Sequence, residues 1–280
     1  MTPDPADQEV ERIELHLLLE AVYQRYGYDF REYSLPSVKR RMAQFLADKG
    51  VQELGEVTRR LLRDLDFFHT LIPYFSVSVT ALFRDPFFYA AMAEKVVPWL
   101  RTWPHFKIWH AGCATGEEVF SDAILLREAG LLNRATLYAT DISQSALDTG
   151  RAGIYSLEII RQGSANYLAA GGLHSLSDHY QAQYHAAIMH PELRRRMTFS
   201  RHNLAMDNSF GEMQVIICRN VLIYFNEALQ NKVLELFWES LDHGGILCLG
   251  DKESLAYSAV ADRFEALDES ARIFRKKTPR

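Results

Sequence analysis

Cysteine is scarce in this chain: Cys113, Cys218 and Cys248 are the three among 280 residues, each within or beside an apolar run. The count is odd and no CxxC pair occurs, so neither a disulfide framework nor a thiolate cluster is expected, and the thiols read as reduced and buried. The 10 histidines lack ligand spacing. His174, His179, His185, His190 and His202 are too irregularly placed for a metal site, and no metal is expected. Basic charge is short as well, with 31 Lys+Arg against 36 Asp+Glu and a net charge of -5. A general nucleic-acid binder would carry the opposite balance, so no nucleic-acid partner is expected. No run approaches the ~20 apolar residues of a membrane span, which argues against membrane insertion. The first residues, MTPDPADQEVE, are acidic and lack the basic start and apolar core of a signal peptide. The expected location is the cytoplasm.

What is present is core material: 48% of residues are apolar and 24% charged, an ordinary balance for a chain with about two domains. From Val10 to Ile72 the pattern is helical. IELHLLLEAVYQRY carries a broad apolar stripe at helical spacing. After a turn around Tyr26–Tyr33, SLPSVKRRMAQFLADKG begins with Ser and Pro and ends at Gly50, with Leu35, Val38, Met42, Phe45 and Leu46 expected on its apolar side. LGEVTRRLLRDLDFFHTLI is expected to form one further helix. These segments define an all-α domain over residues 1–75.

Residues 76–280 change to alternation of strand and helix. FKIWHAG, TLYATD, MTFSRHNL, MQVIICRN and GGILCLG are strands, with GEEVFSDAILLREAG, SQSALDTGRAGIY and EALQNKVLELFWESL as helices. Such alternation implies an α/β domain whose parallel sheet is covered on both faces. FEALDESARIFRKK has two runs with no helix between them and reads as a terminal antiparallel hairpin. An open sheet closed by such a hairpin resembles the Rossmann-like methyltransferases. Residues about 163–196 fit neither element type and are expected to form a small inserted subdomain.

The stretch IWHAGCATGEEVF, Ile108–Phe120, begins like a nucleotide fingerprint, with Gly112 and Gly116 in a small-residue turn between strand and helix. Glu117 and Glu118 follow at once, where a phosphate would be repelled. Carboxylates at a helix N-terminus gain ~0.3–1 kcal/mol from its dipole, which accounts for them without a ligand. A cationic ligand carrying an adenosine, such as S-adenosylmethionine, accounts for them together with the glycine turn. Asp141, closing the next strand, has two roles open to it: gripping ribose hydroxyls, or capping the helix that begins near Ser143. CRNVLIYF places Arg219, Asn220 and Tyr224 at the carboxyl edge of the sheet, where they either bind ligand or close the strand and pack. In SVTALFRDPFFY, Arg84 stands among Phe83, Phe87 and Phe88, a setting that calls for an anionic partner.

TALFRD, AGCATGEE, ATDIS and CRNVLIYF, in this order and spacing, resemble the motifs of the CheR-type chemoreceptor methyltransferases. The resemblance covers nearly the whole chain, the helical domain included. It implies transfer of a methyl group from S-adenosylmethionine to glutamate side chains of methyl-accepting chemotaxis receptors, with S-adenosylhomocysteine as product. By motif position, Ser78, Thr80, Arg84 and Gly112 meet the cofactor, Glu118 its amino group, Asp141 its ribose, and Asn203 and Leu204 the adenine region. Arg219 and Asn220 complete the cofactor site, while Arg84 and Tyr224 assist transfer. Ser78 stands where the family commonly has Asn. Val119 and Phe120 replace the usual Pro and Tyr, and GDKES lacks a small polar run often found there. The inserted subdomain stands where the family carries one that docks a receptor C-terminal peptide in some members.

The partner so implied is the acidic cytoplasmic helical bundle of the receptors. Lys39, Arg40 and Arg41 then form a candidate docking surface, with Arg59, Arg60 and Arg63 a weaker one; a solvated helix face is the plain alternative. Two other functions stay open: a methyltransferase of the same fold acting on another carboxylate, and a catalytically silent S-adenosylmethionine-binding signalling protein.

Overall fold

The computed structural model describes residues 5–75 and 80–278. The chain divides into two compact units, Met1–Val77 with Tyr224–Gln230, and Ser78–Ile223 with Asn231–Arg280. Among the described residues the first unit holds the helices α1 (Pro5–Tyr26), α2 (Leu35–Lys49), α3 (Leu54–Leu61) and α4 (Leu65–Phe75). In α2, Pro36 sits in the first turn and Gly50 ends the helix with φ 65, a left-handed conformation open to glycine at little cost. The run expected as one helix over Leu54–Ile72 is two. The Asp64 carboxylate accepts from the backbone N–H of Phe67 at 2.9 Å and so restarts the helix after a break.

Leu18, Val22, Phe30, Met42, Phe45, Val57, Leu61, Phe68 and Leu71 form the core of this unit. The ring of Phe30 stacks on Phe75 with centroids 4.3 Å apart. Of the residues expected on the apolar side of α2, Val38, Met42 and Phe45 are buried but Leu35 is 41% exposed. Ser37 and Arg41 are buried on this helix as well. Residues 224–230 join this unit through Tyr224, whose carbonyl accepts from Ser34 N at 2.9 Å, and Asn226, whose N–H reaches the Glu32 carbonyl at 2.9 Å.

The second unit opens with α5 (Pro86–Ala91), a π-helical turn over Met92–Val96 and α6 (Val97–Leu100). Then follow β1 (Phe106–Ala111), α7 (Glu117–Glu128), β2 (Ala135–Asp141), α8 (Gln144–Ala152), β3 (Ile154–Ser156) and α9 (Leu157–Ala169). The remaining elements are β4 (Tyr180–Gln183), β5 (Ala186–Met189), α10 (Pro191–Arg194), β6 (Met197–Arg201), β7 (Met213–Cys218), α11 (Glu227–Ser240), β8 (Leu241–Leu249), β9 (Phe264–Asp268) and β10 (Ile273–Lys276). Seven strands form one sheet in the order β6-β2-β1-β7-β8-β10-β9. The first five run parallel, and β10 is antiparallel to both β8 and β9. The terminal hairpin is therefore present as expected. Every residue of β7 is buried, the mark of a strand covered on both faces. Within residues 163–196 lie β4 and β5, which with β3 make a separate antiparallel sheet in the order β3-β5-β4.

Strand order reverses between β1 and β7, its two neighbours in the sheet carrying the chain away in opposite directions. In doubly wound sheets that crevice, beyond the carboxyl ends of the strands, is where ligands bind.

Candidate functional site

The turn leaving β1 is built for close approach. Gly112 has φ 79, and a Cβ there would stand 2.5 Å from Val221 Cγ2. Gly116, with φ 90, would bring a Cβ to 3.0 Å from the backbone of Gly150. Ala114 between them also takes a left-handed φ of 48. The conformation is held by Asp141, whose Oδ2 accepts from Ala114 N at 2.9 Å and whose Oδ1 accepts from Ser143 N at 2.9 Å. Capping of α8 falls instead to Ser143, whose Oγ accepts from Ala146 N at 3.3 Å. Each Asp141 oxygen keeps a further acceptor position. Burial pushes this carboxyl up, against the backbone N–H groups that pull it back.

The adjacent glutamates separate into different surroundings. Glu117 is 2% exposed and takes a hydrogen bond from Thr115 Oγ1 at 2.6 Å; burial raises its carboxyl. Glu118 Oε2 lies 3.0 Å from Arg219 Nη1. Burial works to raise the Glu118 carboxyl, but His110 and the Arg219 guanidinium outweigh it and hold it below the ordinary range.

Arg219 is the hub of the site. Its side chain is 2% exposed, its Nη2 lies 2.6 Å from Asp85 Oδ2, and its guanidinium stands 4.1 Å over the Phe88 ring. Both Nη atoms also reach the Arg84 carbonyl at 3.4 Å. Burial opposes the charge, yet Glu118 and Asp85 keep it firmly cationic. Arg84 thus lies beside this hub, half-buried, between Phe83 and Asp85, both left-handed at φ 51 and 58. Left-handed non-glycine residues cost of order 1–3 kcal/mol each and cluster at functional sites. Ser121 Oγ accepts from Phe83 N at 2.8 Å and ties this segment to α7.

After β7, Asn220 is left-handed at φ 60, and the loop is held by Glu253 of GDKES. Glu253 Oε1 accepts from Val221 N at 2.8 Å and Leu222 N at 2.7 Å, and Oε2 from Asn220 N at 3.1 Å and Gly250 N at 2.6 Å. The segment that departs from the family pattern therefore supports Arg219 and Asn220 from behind.

The other expected residues take the following places. Thr80 is half-buried, and Ser78 lies outside the described residues. Asn203 follows β6, its Oδ1 accepting from Ala205 N at 3.0 Å, and Leu204 is 8% exposed. His202 N reaches the Asp141 carbonyl at 3.1 Å, which brings the Asn203 segment beside the end of β2. Tyr224 belongs to the helical unit, where the Arg41 guanidinium lies 4.2 Å over its ring. Val119 and Phe120 are fully buried core residues.

Arg41 does not belong to a surface patch. It is 5% exposed, and its Nη1 donates to the carbonyls of Tyr74, at 3.0 Å, and Phe75. Lys39 is half-buried and paired with Glu11 at 2.9 Å, while Arg40 is exposed. Sequence reasoning also passed over Asp85, His110, Asp122 and Glu253. Asp122 had a signal, standing four residues after Glu118 on the same helix face; His110 is brought to both by the fold of α7 onto β1, and Asp85 and Glu253 become visible only when separated segments meet.

Asp85 and Glu118 pair with Arg219, and Asp141 holds the glycine turn at the end of the neighbouring strand. A phosphate would be repelled there, and a ligand with an ammonium group and hydroxyls is accommodated, as S-adenosylmethionine requires. Among the described residues no group of three or more His, Cys, Asp or Glu is placed to hold a metal, and no helix is long and apolar enough to cross a membrane.

An S-adenosylmethionine-dependent methyltransferase is the class that sheet and crevice define. Residues 78–273 match the CheR methyltransferase SAM binding domain, and residues 13–76 the CheR methyltransferase all-alpha domain. The chain belongs to the CheR methyltransferase family. It is 50% identical over 264 residues to a Pseudomonas putida protein going by the name methyltransferase Cher3, covering 94% of this chain and 97% of that one. It is 27% identical over 231 residues to the chemotaxis protein methyltransferase of Listeria innocua, covering 82% of this chain and 85% of the relative. Among solved structures, PKMT2 from Rickettsia typhi matches with a TM-score of 0.36 at 14% identity, over 61% of this chain and 26% of that one.

Proposed function

We propose that the protein methylates glutamate side chains of methyl-accepting chemotaxis receptors in the cytoplasm, giving glutamyl methyl esters. The observation that carries this reading is the acidic glycine turn, with Glu118 held by the buried Arg219 at 3.0 Å, in a chain whose relatives include chemotaxis protein methyltransferases. S-adenosylmethionine supplies an electrophilic sulfonium methyl, whose transfer to a carboxylate oxygen leaves S-adenosylhomocysteine. Glu118 binds the cofactor amino group and Asp141 the ribose. Thr80, Arg84, Gly112, Asn203, Leu204, Arg219 and Asn220 complete the pocket, and Ser78 joins them by sequence position.

The substrate needs little acid–base help. A glutamate side chain, with a reference pKa near ~4.3, is ionised at neutral pH and attacks as it stands. Orientation is what the protein contributes, worth up to ~7–11 kcal/mol when the reacting atoms are held in line. Arg84 and Tyr224 hold the carboxylate by hydrogen bonds. Their grip is moderate, because tight ion pairing would favour the ground state over the transition state. Arg40, with Lys39 beside it, meets the acidic receptor bundle.

Incubation with tritiated S-adenosylmethionine and receptor-containing membranes tests the reading. Base-labile label on a receptor-sized band is the expected result. Label on another acceptor makes the chain a carboxylate methyltransferase of different specificity. No label, with cofactor binding measured separately, makes it a silent binder.

A further inference from the structure

Behind Glu118 lies a buried pair that the reaction described so far does not use. His110, on β1, is fully buried. Its Nδ1 stands 3.6 Å from Glu118 Oε1, and its Nε2 3.6 Å from Asp122 Oδ2. Glu118 and Asp122 are one turn apart on α7, so both face the same imidazole. Asp122 is 1% exposed, and neither of its oxygens, nor either ring nitrogen, has a hydrogen-bond partner. At 3.6 Å these contacts are electrostatic rather than hydrogen bonds.

Three acceptor-capable groups in a row require a proton. A neutral imidazole has one N–H and one lone pair. Set between two ionised carboxylates, it would turn that lone pair on a negative charge, deep in the protein where an unpaired charge is costly. One additional proton resolves the conflict. It makes either an imidazolium facing two carboxylates, or a neutral imidazole facing Glu118 and a protonated Asp122. In both forms an N–H points at Glu118, and one proton lies between Nε2 and Oδ2.

We propose that His110 and Asp122 are positioning residues for the cofactor: the additional proton the pair carries keeps the His110 Nδ1–H directed at the Glu118 carboxylate, and arrival of the cofactor ammonium at Glu118 loosens that additional proton. The proposal rests on Glu118 being the amine site. It distinguishes this chain's pair from a buried ion pair that serves only the fold, because the pair's protonation is tied to binding.

Among the groups that face one another here, the Asp122 carboxyl is the one raised to near neutrality. Burial is the main cause raising the Asp122 carboxyl to about 7; Glu118 reinforces it, while His110 and Arg219 oppose it. From α5, the Tyr89 hydroxyl faces Asp122 and Glu118 and is pushed well above its usual range, chiefly by burial. From β8 the Cys248 thiol, and from the ends of β1 and β7 the thiols of Cys113 and Cys218, are likewise driven up by burial and stay neutral. Arg219 is cationic and bound to Asp85 and Glu118.

The sign follows from linkage. An added positive charge at Glu118 disfavours the nearby proton, so the bound state holds it less tightly than the free state. Binding then releases protons, and affinity rises with pH as the Asp122 carboxyl ionises.

The test is calorimetric binding of S-adenosylhomocysteine, which carries the amino group without the sulfonium charge, between about pH 6 and about pH 7.5 in buffers of different ionisation enthalpy. The native sequence is expected to gain affinity about three- to tenfold over that window, with net proton release. Asp122→Asn is expected to bind with a flat profile and no release. The double change His110→Phe with Asp122→Asn removes ring nitrogens and charge together, and serves if the single variant fails to fold; its profile is expected to be flat too. Glu118→Gln checks the underlying reading: undiminished binding would overturn the amine site itself. Weakened binding in Glu118→Gln, with the native slope and proton release kept in Asp122→Asn, would overturn the positioning role and leave the pair as a structural one.

Discussion

Gly112 and Val221 stand so close that a Cβ on the glycine would lie 2.5 Å from Val221 Cγ2. The turn after β1 and the loop after β7 thus touch at the strand-order reversal, and the positive φ of 79 at Gly112 adds a second demand for glycine. Gly112→Ala is expected to move both loops, lowering S-adenosylhomocysteine affinity tenfold or more and the melting temperature with it. Gly130 is the control: its φ is 71 and nothing lies within 4 Å of its Cβ position. Gly130→Ala is expected to cost about 1 kcal/mol of stability with affinity unchanged. Equal effects on binding would show that contact with Val221 does not matter.

Glu253 gathers four backbone N–H groups on two oxygens while 3% exposed. Glu253→Gln keeps the shape but replaces one acceptor by an NH2 donor, which faces N–H groups it cannot accept from. Each orphaned buried donor costs about 1–3 kcal/mol, so denaturant unfolding is expected to show a loss of roughly 2–5 kcal/mol. Loss of cofactor affinity follows from the freed Asn220 loop. A stability change within error would mean that Glu253 does not hold the loop.

Asp122 makes a claim on stability against pH. Its carboxyl is raised from 3.8 to about 7 in the folded chain, so the folded state keeps a proton that the unfolded chain releases. The group's stabilising contribution is fully present below about pH 4 and is lost as pH climbs toward about 7. Asp122→Asn does not titrate, so its melting temperature relative to the native sequence is expected to rise between about pH 5 and about pH 7.5. A constant difference across that range would remove the raised carboxyl from the account.

Arg40 and Arg41 are neighbours in sequence with opposite fates, one exposed and one 5% exposed. Arg40→Glu is expected to slow receptor methylation about two- to fivefold at low salt, less at high salt, with folding and cofactor affinity unchanged. Arg41→Glu puts a shorter group of the wrong charge against the Tyr74 and Phe75 carbonyls, and is expected to unfold the helical unit, read by circular dichroism. Methylation rates insensitive to Arg40→Glu at low salt would retire the docking role.

Tyr224→Phe removes only a hydroxyl. If that hydroxyl holds the substrate carboxylate, turnover falls about tenfold, the worth of one hydrogen bond to a charged group, while S-adenosylhomocysteine affinity stays within about twofold. Equal loss of both would sink the substrate-positioning role.

Local signals in the chain were enough for much of this protein. Alternating apolar runs and helices defined the α/β unit, Gly50 marked a helix end, and the glycine turn with its two glutamates pointed to a cationic adenosine ligand rather than a phosphate. These rest on interactions within a few residues: propensity, capping and the preference of glycine for positive φ. The break at Asp64 was missed: its carboxylate caps a fresh helix where the sequence pattern read as one continuous helix.

What Glu118 pairs with was decided only by tertiary structure. Glu118 and Arg219 are 101 residues apart and meet because β7 lies beside β1, a strand order that no local pattern encodes. The packing of α7 back onto β1 sets His110 between two carboxylates, and the pairing of β8 with β7 brings Glu253 under the Arg219 loop. Arg41 shows the reverse case: its spacing with Val38, Met42 and Phe45 is that of the buried stripe, yet its charge argued for solvent. The Tyr74 and Phe75 carbonyls and the Tyr224 ring met its guanidinium, and partners of that kind make a buried cation tolerable. Sequence sets what each residue is able to do over a few positions; burial and pairing, which determine charge and orientation, depend on which distant segments fold against it.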